Sequence, residues 1–241
     1  MNSKTVLITG AAKRIGATIA RVLHAHGMKI IIHYNTSEIA ANQLKDTLNN
    51  IRSDSAYILQ GDLLDISSYT ALTTKALNFT GRLDVLINNA SLFYPTPFEE
   101  TTQKQWDELV GTNMMAPFFL AQSCQQQLSQ VNGCIINITD IYGEQPLKKH
   151  TVYSATKAGL IMLTRAMAVE MGPLIRVNAV SPGAILWPEN IDEDRKQKIL
   201  SETLLQKLGT SSDIANAVYF LIDKAEYITG QVINVDGGRS N

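Results

Sequence analysis

Short runs of β-branched and other apolar residues alternate along the chain with longer amphipathic stretches. This alternation is typical of a parallel sheet covered by helices on both faces, because parallel neighbours are joined by helical crossovers. The predicted strands are Thr5–Thr9, Lys29–His33, Ala56–Gln60, Val85–Asn88, Cys134–Ile138, Arg176–Val180 and Gln231–Val235. The predicted helices are Arg14–His26, Ser37–Asn50, Ser67–Phe79, Lys104–Gln130, Val152–Met171, Asp192–Leu205 and Ser212–Asp223. No linker or repeat interrupts the pattern, which therefore predicts one α/β domain over residues 1–241.

Charge and composition argue against several classes of function. The 21 Lys and Arg residues against 22 Asp and Glu give a net charge of −1, without the basic excess of a nucleic-acid binder. No apolar stretch approaches the roughly 18 residues of a membrane span, and residues 1–4 show no signal-peptide pattern. The two cysteines fit a reducing compartment, and metal-ligand spacing is missing. We therefore expect a cytoplasmic protein without nucleic-acid or membrane partners and without a metal.

The turn after the first strand reads TGAAKRIG over residues 9–16, and a helix pattern follows directly. A tight turn at this place puts backbone N–H groups and a helix N-terminus where a pyrophosphate can bind. Gly10 and Gly16 suit such a turn, whereas Arg14 stands where a generic dinucleotide-binding fingerprint has a glycine. The alternative is a plain glycine-containing turn between strand and helix.

The second strand ends in HYNTS over residues 33–37, which contain no acidic side chain. An acid at this place usually holds the ribose 2′-hydroxyl of NAD, so its absence favours NADP. Ser37 and the N-terminus of the next helix could donate to a 2′-phosphate, with Lys13 and Arg14 nearby. Ser37 could equally be a helix cap. Asp62, after the third strand, could accept from the adenine amino group or serve only as a turn residue.

Tyr153 and Lys157 are four residues apart in a predicted helix and therefore share one of its faces. A nearby cation stabilises a phenolate and lowers the pKa of a tyrosine, which makes Tyr153 a candidate general acid. The alternative is a surface helix pair. Small residues around the pair allow close approach, and Asp140 lies 13 positions before Tyr153 at the end of a predicted strand.

Six motifs occur in the order of one known family: residues 9–16, 88–90 (NNA), Asn113, Tyr153-(x)3-Lys157, 181–183 (SPG) and 235–238 (VDGG). Over essentially its whole length the sequence resembles a short-chain dehydrogenase/reductase. The resemblance implies a single Rossmann-type domain, a doubly wound parallel seven-stranded sheet of order 3-2-1-4-5-6-7 in a three-layer α/β/α arrangement. It also implies a homotetramer assembled through the helices Lys104–Gln130 and Val152–Met171.

The same resemblance implies roles for individual residues. Tyr153 would donate a proton, Lys157 would bind the nicotinamide ribose, and Asn113 would hold a water linking Lys157 to solvent. Backbone at Asn89 and Ala90 would line the adenine-ribose side. Pro182 and Gly183 would flank the nicotinamide. The cofactor-binding residues predicted by all these arguments are Gly10, Lys13, Arg14, Ile15, Gly16, His33, Tyr34, Asn35, Ser37, Asp62, Leu63, Asn89, Ala90, Tyr153, Lys157, Pro182 and Gly183.

Two positions depart from the general family. Most members have serine where this sequence has Asp140, and glycine where it has Ser91. An ionised Asp140 would repel a developing alkoxide, by about 4 kcal/mol at about 4 Å and an effective dielectric constant near 20. A substrate with C=N bonds and N–H groups suits a carboxylate better. Phe93 could cover a flat ring held against the nicotinamide, or it could simply pack within its loop.

These departures resemble the pteridine reductase branch, which implies NADPH-dependent reduction of a pterin or folate. Phe93 and the nicotinamide would sandwich the pterin, Ser91 and Arg14 would contact its edge, and Asp140 and Tyr153 would serve proton transfer. His33, Tyr34 and Ser37 would surround the 2′-phosphate. The loop near residues 181–205, which carries Trp187 and Pro188, would shape the substrate rim.

Two other functions remain open at this point. The first is a carbonyl reductase of the same fold, for example on a ketoacyl substrate, which requires a protonated or bypassed Asp140. The second is a non-enzymatic NADP-binding module, against which the presence of Tyr153, Lys157 and Asn113 argues.

Overall fold

A computed structural model describes residues 3–187 and 192–241. Its seven strands form one sheet in the order β3-β2-β1-β4-β5-β6-β7, and every neighbouring pair is parallel. The strands are β1 (Thr5–Ile8), β2 (Lys29–Tyr34), β3 (Ala56–Gln60), β4 (Val85–Asn88), β5 (Cys134–Ile138), β6 (Arg176–Pro182) and β7 (Val232–Val235). The predicted Rossmann-type strand order is confirmed.

Eight α-helices lie within the described residues and cover both faces of the sheet. They are α1 (Arg14–Ala25), α2 (Glu38–Ile51), α3 (Tyr69–Thr80), α4 (Gln103–Val110), α5 (Ala116–Ser129), α6 (Thr151–Met171), α7 (Glu193–Ser201) and α8 (Ser211–Asp223). Among the residues described, no helix combines the length and the apolarity that crossing a bilayer would require.

The core consists of two apolar layers, one on each face of the sheet. Val6 and Ile8 point into a layer with residues of α1, α2 and α8, whereas Leu7 between them points into a layer with residues of α3, α5 and α6. This division follows from the two-residue side-chain period of a strand. Both faces are buried, which explains why the central strands read as continuous apolar runs.

Most predicted boundaries shift by one or two residues, but the predicted helix Lys104–Gln130 is divided. Helices α4 and α5 are separated by a π-helical segment, Gly111–Met115. Pro117, in the first turn of α5, lacks the N–H that would donate to the carbonyl of Asn113 in a regular α-helix. The ladder therefore widens at this point, as π-helical insertions often do near functional sites.

Candidate active site

The site lies at the carboxyl edge of the sheet, where β1 and β4 are neighbours. The strand order reverses at this pair, so the turns after the two strands leave in different directions and open a crevice between them. Thr9 joins the two turns, since its hydroxyl oxygen accepts hydrogen bonds from the backbone N–H groups of Asn89 and Ala90, each at 2.9 Å.

The turn at residues 9–16 is tightly held against the end of β4. Gly10 has φ +60°, and a Cβ there would lie 3.0 Å from the Cα of Ala90. A Cβ on Gly16 would lie 2.6 Å from the Asn89 side-chain nitrogen and from the Gly10 carbonyl oxygen. That side-chain nitrogen already donates to the carbonyls of Thr9 and Gly10, at 2.8 and 3.1 Å. Both glycines are therefore needed for the geometry of this turn.

The beginning of α1 fits a phosphate-binding role. Its cap residue, Lys13, makes no side-chain capping bond, and its first turn contains no acidic residue. The first backbone N–H groups of a helix lack intrahelical partners and carry the positive end of the helix dipole. Gly16 has no Cβ to fill the space beside these N–H groups. The free N–H groups and this space together fit the pyrophosphate of a dinucleotide.

Arg14 occupies this turn in a strained backbone conformation. Its φ is +53°, in the left-handed region, at the position where the generic fingerprint has glycine. For a non-glycine residue this conformation costs roughly 1–2 kcal/mol. Strain of this kind is concentrated at functional sites. The exposed side chain is consistent with the predicted contacts of Arg14 to cofactor and substrate, which stay predictions.

His33 supports the same turn from beneath. Its Nδ1 accepts a hydrogen bond from the Gly10 N–H at 3.3 Å, and its carbonyl accepts from the Ala11 N–H at 2.9 Å. Burial lowers the pKa of His33 to about 4, so the imidazole is neutral at pH 7. Tyr34 is also buried, whereas Asn35 is exposed. His33 thus braces the phosphate-binding turn, and its predicted place beside the 2′-phosphate stays a prediction.

For Ser37 and Asp62 the sequence left two roles open, a contact with the cofactor or a local cap or turn role. Ser37 is the cap residue of α2 but makes no side-chain capping bond, so its hydroxyl is not used as a cap. Asp62 accepts the Leu64 N–H at 3.0 Å, which is a turn role, and it remains exposed. Leu63 beside it is buried. A contact of Asp62 with adenine therefore stays a prediction.

Asp140, Tyr153 and Lys157 come together as their spacing predicts. The Tyr153 hydroxyl donates to Oδ2 of Asp140 at 2.7 Å. Lys157 Nζ donates to the Ile138 carbonyl at 3.0 Å and lies 5.6 Å from the centre of the Tyr153 ring. Asp140 follows β5, and the other two residues lie in the first two turns of α6. Tyr153 and Lys157 are 4% and 2% exposed and are therefore shielded from water, whereas Asp140 is partly buried.

Burial dominates the electrostatics of this group. It raises the pKa of Asp140, against the Tyr142 N–H, the Tyr153 hydroxyl and the charge of Lys157. Burial and then Asp140 raise the pKa of Tyr153 well above its usual value. Burial lowers the pKa of Lys157 to about 8, opposed by Asp140. We expected Lys157 to lower the pKa of Tyr153, but here burial and the Asp140 carboxylate outweigh the ammonium. Tyr153 is therefore protonated at pH 7.

Asn113, in the π-helical segment, holds the loop that follows β4. Its Oδ1 accepts from the Leu92 N–H at 2.8 Å and from the Ser91 hydroxyl at 3.1 Å. Its Nδ2 donates to the Leu92 carbonyl at 3.0 Å and to the Thr156 hydroxyl at 3.2 Å. The side chain thus holds the backbone just before Phe93. The predicted water between Asn113 and Lys157 stays a prediction.

Phe93 lies against Tyr153, with half of its surface exposed. Its ring stacks on His150 at 4.7 Å between centroids and meets the Tyr153 ring edge-on at 4.8 Å. The sequence arguments missed His150, which stands at the N-cap position of α6 but makes no side-chain capping bond. The half-exposed Phe93 ring is available to a flat ligand, and that contact stays a prediction, as does the alternative that the ring packs within its loop.

The end of β6 lies at the same edge of the sheet, two strands from β4. Pro182 is buried within the strand, and a Cβ on Gly183 would lie 2.5 Å from the Cβ of Asp236. Close packing on the turn after β7 therefore requires glycine at position 183. Trp187 is partly buried. Pro188, also named above in the loop predicted to shape the substrate rim, lies outside the described residues.

Comparison with known proteins agrees with this architecture. The model of a family described as "Enoyl-(Acyl carrier protein) reductase" matches residues 10–240. The chain is 36% identical to "Pteridine reductase 1" of Leishmania tarentolae, over 97% of this chain and 95% of that protein. It is 34% identical to 3-oxoacyl-(acyl-carrier-protein) reductase FabG of Staphylococcus aureus, over 98% of each. These matches and the sheet order show that the chain belongs to the short-chain dehydrogenase/reductase family of oxidoreductases.

Proposed function

We propose that this oxidoreductase uses NADPH to reduce a dihydropterin ring, the ring that dihydrofolate also carries, to the tetrahydro form. The observation that carries the proposal is the Asp140 carboxylate, hydrogen-bonded at 2.7 Å to the Tyr153 hydroxyl. A carboxylate accepts hydrogen bonds from the N–H groups of a pterin edge. The same carboxylate, when ionised, repels the negatively charged oxygen that forms when a ketone is reduced.

The protonation states support proton donation to a ring nitrogen. The raised pKa of Tyr153 keeps its proton at pH 7, and the proton already points at Asp140. The raised pKa of Asp140 favours uptake of a proton by this carboxyl. Tyr153 and Asp140 can therefore hold a proton at the site and deliver it to a ring nitrogen, directly or through water. Phe93, fixed by His150, supplies a flat face for the ring.

The cofactor preference follows from the chain's own residues. When bound, NADPH supplies the hydride. Uncapped N–H groups of α1 suit its pyrophosphate, and the acid-free residues 33–37 suit a 2′-phosphate. The variant Ser37→Asp is expected to lower the preference for NADPH over NADH, because it puts a negative charge beside the 2′-phosphate. Ser53→Asp, exposed after α2, is the matched control. An unchanged preference in Ser37→Asp would contradict this placement.

The decisive assay compares NADPH consumption with a dihydropterin and with a simple β-ketoacyl ester. We expect consumption with the dihydropterin, and loss of that activity in Asp140→Ser. Asp46→Ser, an exposed carboxylate on α2, is the control for the same chemical change. Turnover of the ester alone would refute pterin reduction. Full pterin activity in Asp140→Ser would refute the role given to this carboxyl.

One observation favours a second candidate, a ketoacyl reductase. Burial raises the pKa of Asp140, and a protonated carboxyl can donate to a carbonyl oxygen as serine does. The similarity to the Staphylococcus aureus ketoacyl reductase points the same way. The same assay separates the two functions.

We further propose a homotetramer built on the outer faces of α4, α5 and α6. These helices expose large apolar side chains, including Trp106, Phe118, Met162 and Val169. An interface between subunits would remove this apolar area from water. Light scattering on the purified protein tests the assembly, and a monomeric mass would contradict it.

A further inference from the structure

Burial alternates residue by residue along the loop that follows β4, from residue 91 to residue 96. The odd-numbered residues of this segment are exposed, and its even-numbered residues, Leu92, Tyr94 and Thr96, are partly or fully buried. A period of two is the pattern of a chain segment that lays one face against the protein. Phe93, 50% exposed, lies on the outer face between two inward residues. The place of its ring therefore depends on what holds Leu92 and Tyr94.

Both inward neighbours of Phe93 are packed side chains. They lie on a small apolar cluster, which α4 and α6 form from Leu109, Val152 and Tyr153. Leu92 is also fixed through its backbone, because Asn113 bonds both its N–H and its carbonyl, at 2.8 and 3.0 Å. The chain just before Phe93 is thus held by the π-helical segment, and the chain just after it is held through the side chain of Tyr94.

The Tyr94 hydroxyl is bound to α4. It donates to Oε2 of Glu108 at 3.0 Å, and the Gln105 carbonyl oxygen lies 3.3 Å away as a second acceptor. Burial and the bond to Glu108 raise the pKa of Tyr94 to about 12, so the hydroxyl keeps its proton at pH 7. The Glu108 side chain is 32% exposed, and its other oxygen lies 3.8 Å from Nζ of Lys104. The bond to Tyr94 is therefore charge-assisted and partly screened by solvent.

Building on the proposed reduction of a flat ring, we propose that Tyr94 is a positioning residue that sets the place of the Phe93 ring through its hydrogen bond to Glu108. Without this bond the ring would be looser, and substrate binding would have to order it. Phe93 faces the ring in the ground state and in the transition state alike. Loss of the bond therefore raises KM for the ring substrate and leaves kcat nearly unchanged.

The test measures kcat and KM with NADPH and a dihydropterin in Tyr94→Phe, which removes only the hydroxyl. KM for the dihydropterin should rise about fivefold, less than the tenfold or more of a fully buried charge-assisted bond, because Glu108 is partly exposed. The values of kcat and of KM for NADPH should stay within about twofold of wild type. Glu108→Gln keeps an acceptor for the hydroxyl and should restore a dihydropterin KM close to that of wild type.

Tyr219→Phe is the matched control, because the Tyr219 hydroxyl donates to the Asp223 carboxylate at 3.1 Å on α8, away from the loop. It should leave both KM values unchanged. An unchanged dihydropterin KM in Tyr94→Phe would overturn the positioning role. So would a joint loss of kcat and NADPH affinity, which would indicate general damage to the site.

A double-mutant cycle tests whether Tyr94 acts through Phe93. In a Phe93→Ala background, Tyr94→Phe should raise the dihydropterin KM no further, since no ring is left to position. An equal rise in both backgrounds would overturn the proposed route.

Binding of an oxidised pterin to the complex with NADP, followed by fluorescence titration, separates this role from the proposed function. Tyr94→Phe should raise the dissociation constant of this probe about fivefold, whether or not the protein reduces a dihydropterin. A wild type that binds the probe without reducing a dihydropterin would overturn the proposed function alone. An equal dissociation constant in wild type and Tyr94→Phe would overturn the positioning role, and a wild type that binds no pterin would overturn both.

Discussion

Replacing Lys157 with methionine is expected to stabilise the protein at pH 7 while abolishing its reductase activity. Lys157 is 2% exposed, and burial lowers its pKa from 10.5 to about 8. A lysine whose folded-state pKa is depressed is destabilising wherever it is protonated in both states, which here means below about pH 8. Methionine has a similar length and removes the buried charge.

The magnitude follows from the shift. Each pKa unit corresponds to about 1.36 kcal/mol, so the drop from 10.5 to about 8 amounts to about 3 kcal/mol. The substitution also removes the hydrogen bond to the Ile138 carbonyl, worth about 1 kcal/mol. A net gain of about 2 kcal/mol is therefore expected at pH 7, which in a chain of this size raises Tm by about 4–8 °C.

The pH dependence gives the sharper test. Between about pH 8 and pH 10.5 the unfolded chain holds a proton on Lys157 that the folded chain has released, so wild-type stability rises with pH relative to the variant. Urea unfolding of both proteins at equal concentration, at pH 7 and near pH 10, measures this difference. Lys104→Met, whose lysine is 85% exposed, is the control and should change stability little at either pH. A variant less stable than wild type at pH 7, by an amount independent of pH, would refute the reasoning.

Three further results are expected. In wild type, kcat/KM should fall as pH rises through about 8, because Lys157 loses its charge; a profile flat to about pH 10 would contradict this. Arg14→Gly should leave the free energy of unfolding unchanged or raise it by up to about 1 kcal/mol, because a φ of +53° suits glycine. The same variant should lower kcat/KM. An unchanged kcat/KM would show that the Arg14 side chain is dispensable. Gly16→Ala should destabilise the fold by about 1–3 kcal/mol and weaken NADPH binding, because the new Cβ would lie 2.6 Å from the side-chain nitrogen of Asn89. A melting curve and an NADPH titration that both match wild type would refute the steric argument.

Local periodicity was sufficient to predict the framework. Strands Ala56–Gln60, Val85–Asn88 and Cys134–Ile138 have the predicted bounds. The last two are short apolar runs that are buried throughout, whereas the first is a partly buried edge strand. The strand order followed from the resemblance carried by six motifs, and the structure has that order. Only the helix through residues 104–130 was wrong as a single element, since the effect of Pro117 on the carbonyl of Asn113 was overlooked.

The proximity of Tyr153 and Lys157 could also be predicted from the sequence, because residues four apart on a helix share a face whatever surrounds them. The charge states of Tyr153 and Lys157 could not be predicted from the sequence. The lowered pKa of Lys157 and the raised pKa of Tyr153 come from burial under distant segments and from Asp140, which β5 delivers to the same point. Desolvation depends on all neighbours in space, so no local pattern reports it.

The sequence by itself therefore determined which residues can carry the chemistry, through the order and spacing of short motifs. Tertiary structure decided which of them meet. The stack of Phe93 on His150 joins residues 57 positions apart, and the pair of Arg239 with Glu202 joins residues 37 apart. Such contacts form only when parallel strands bring their carboxyl ends to one edge of the sheet, because side-chain hydrogen bonds and ring stacking act over a few ångströms.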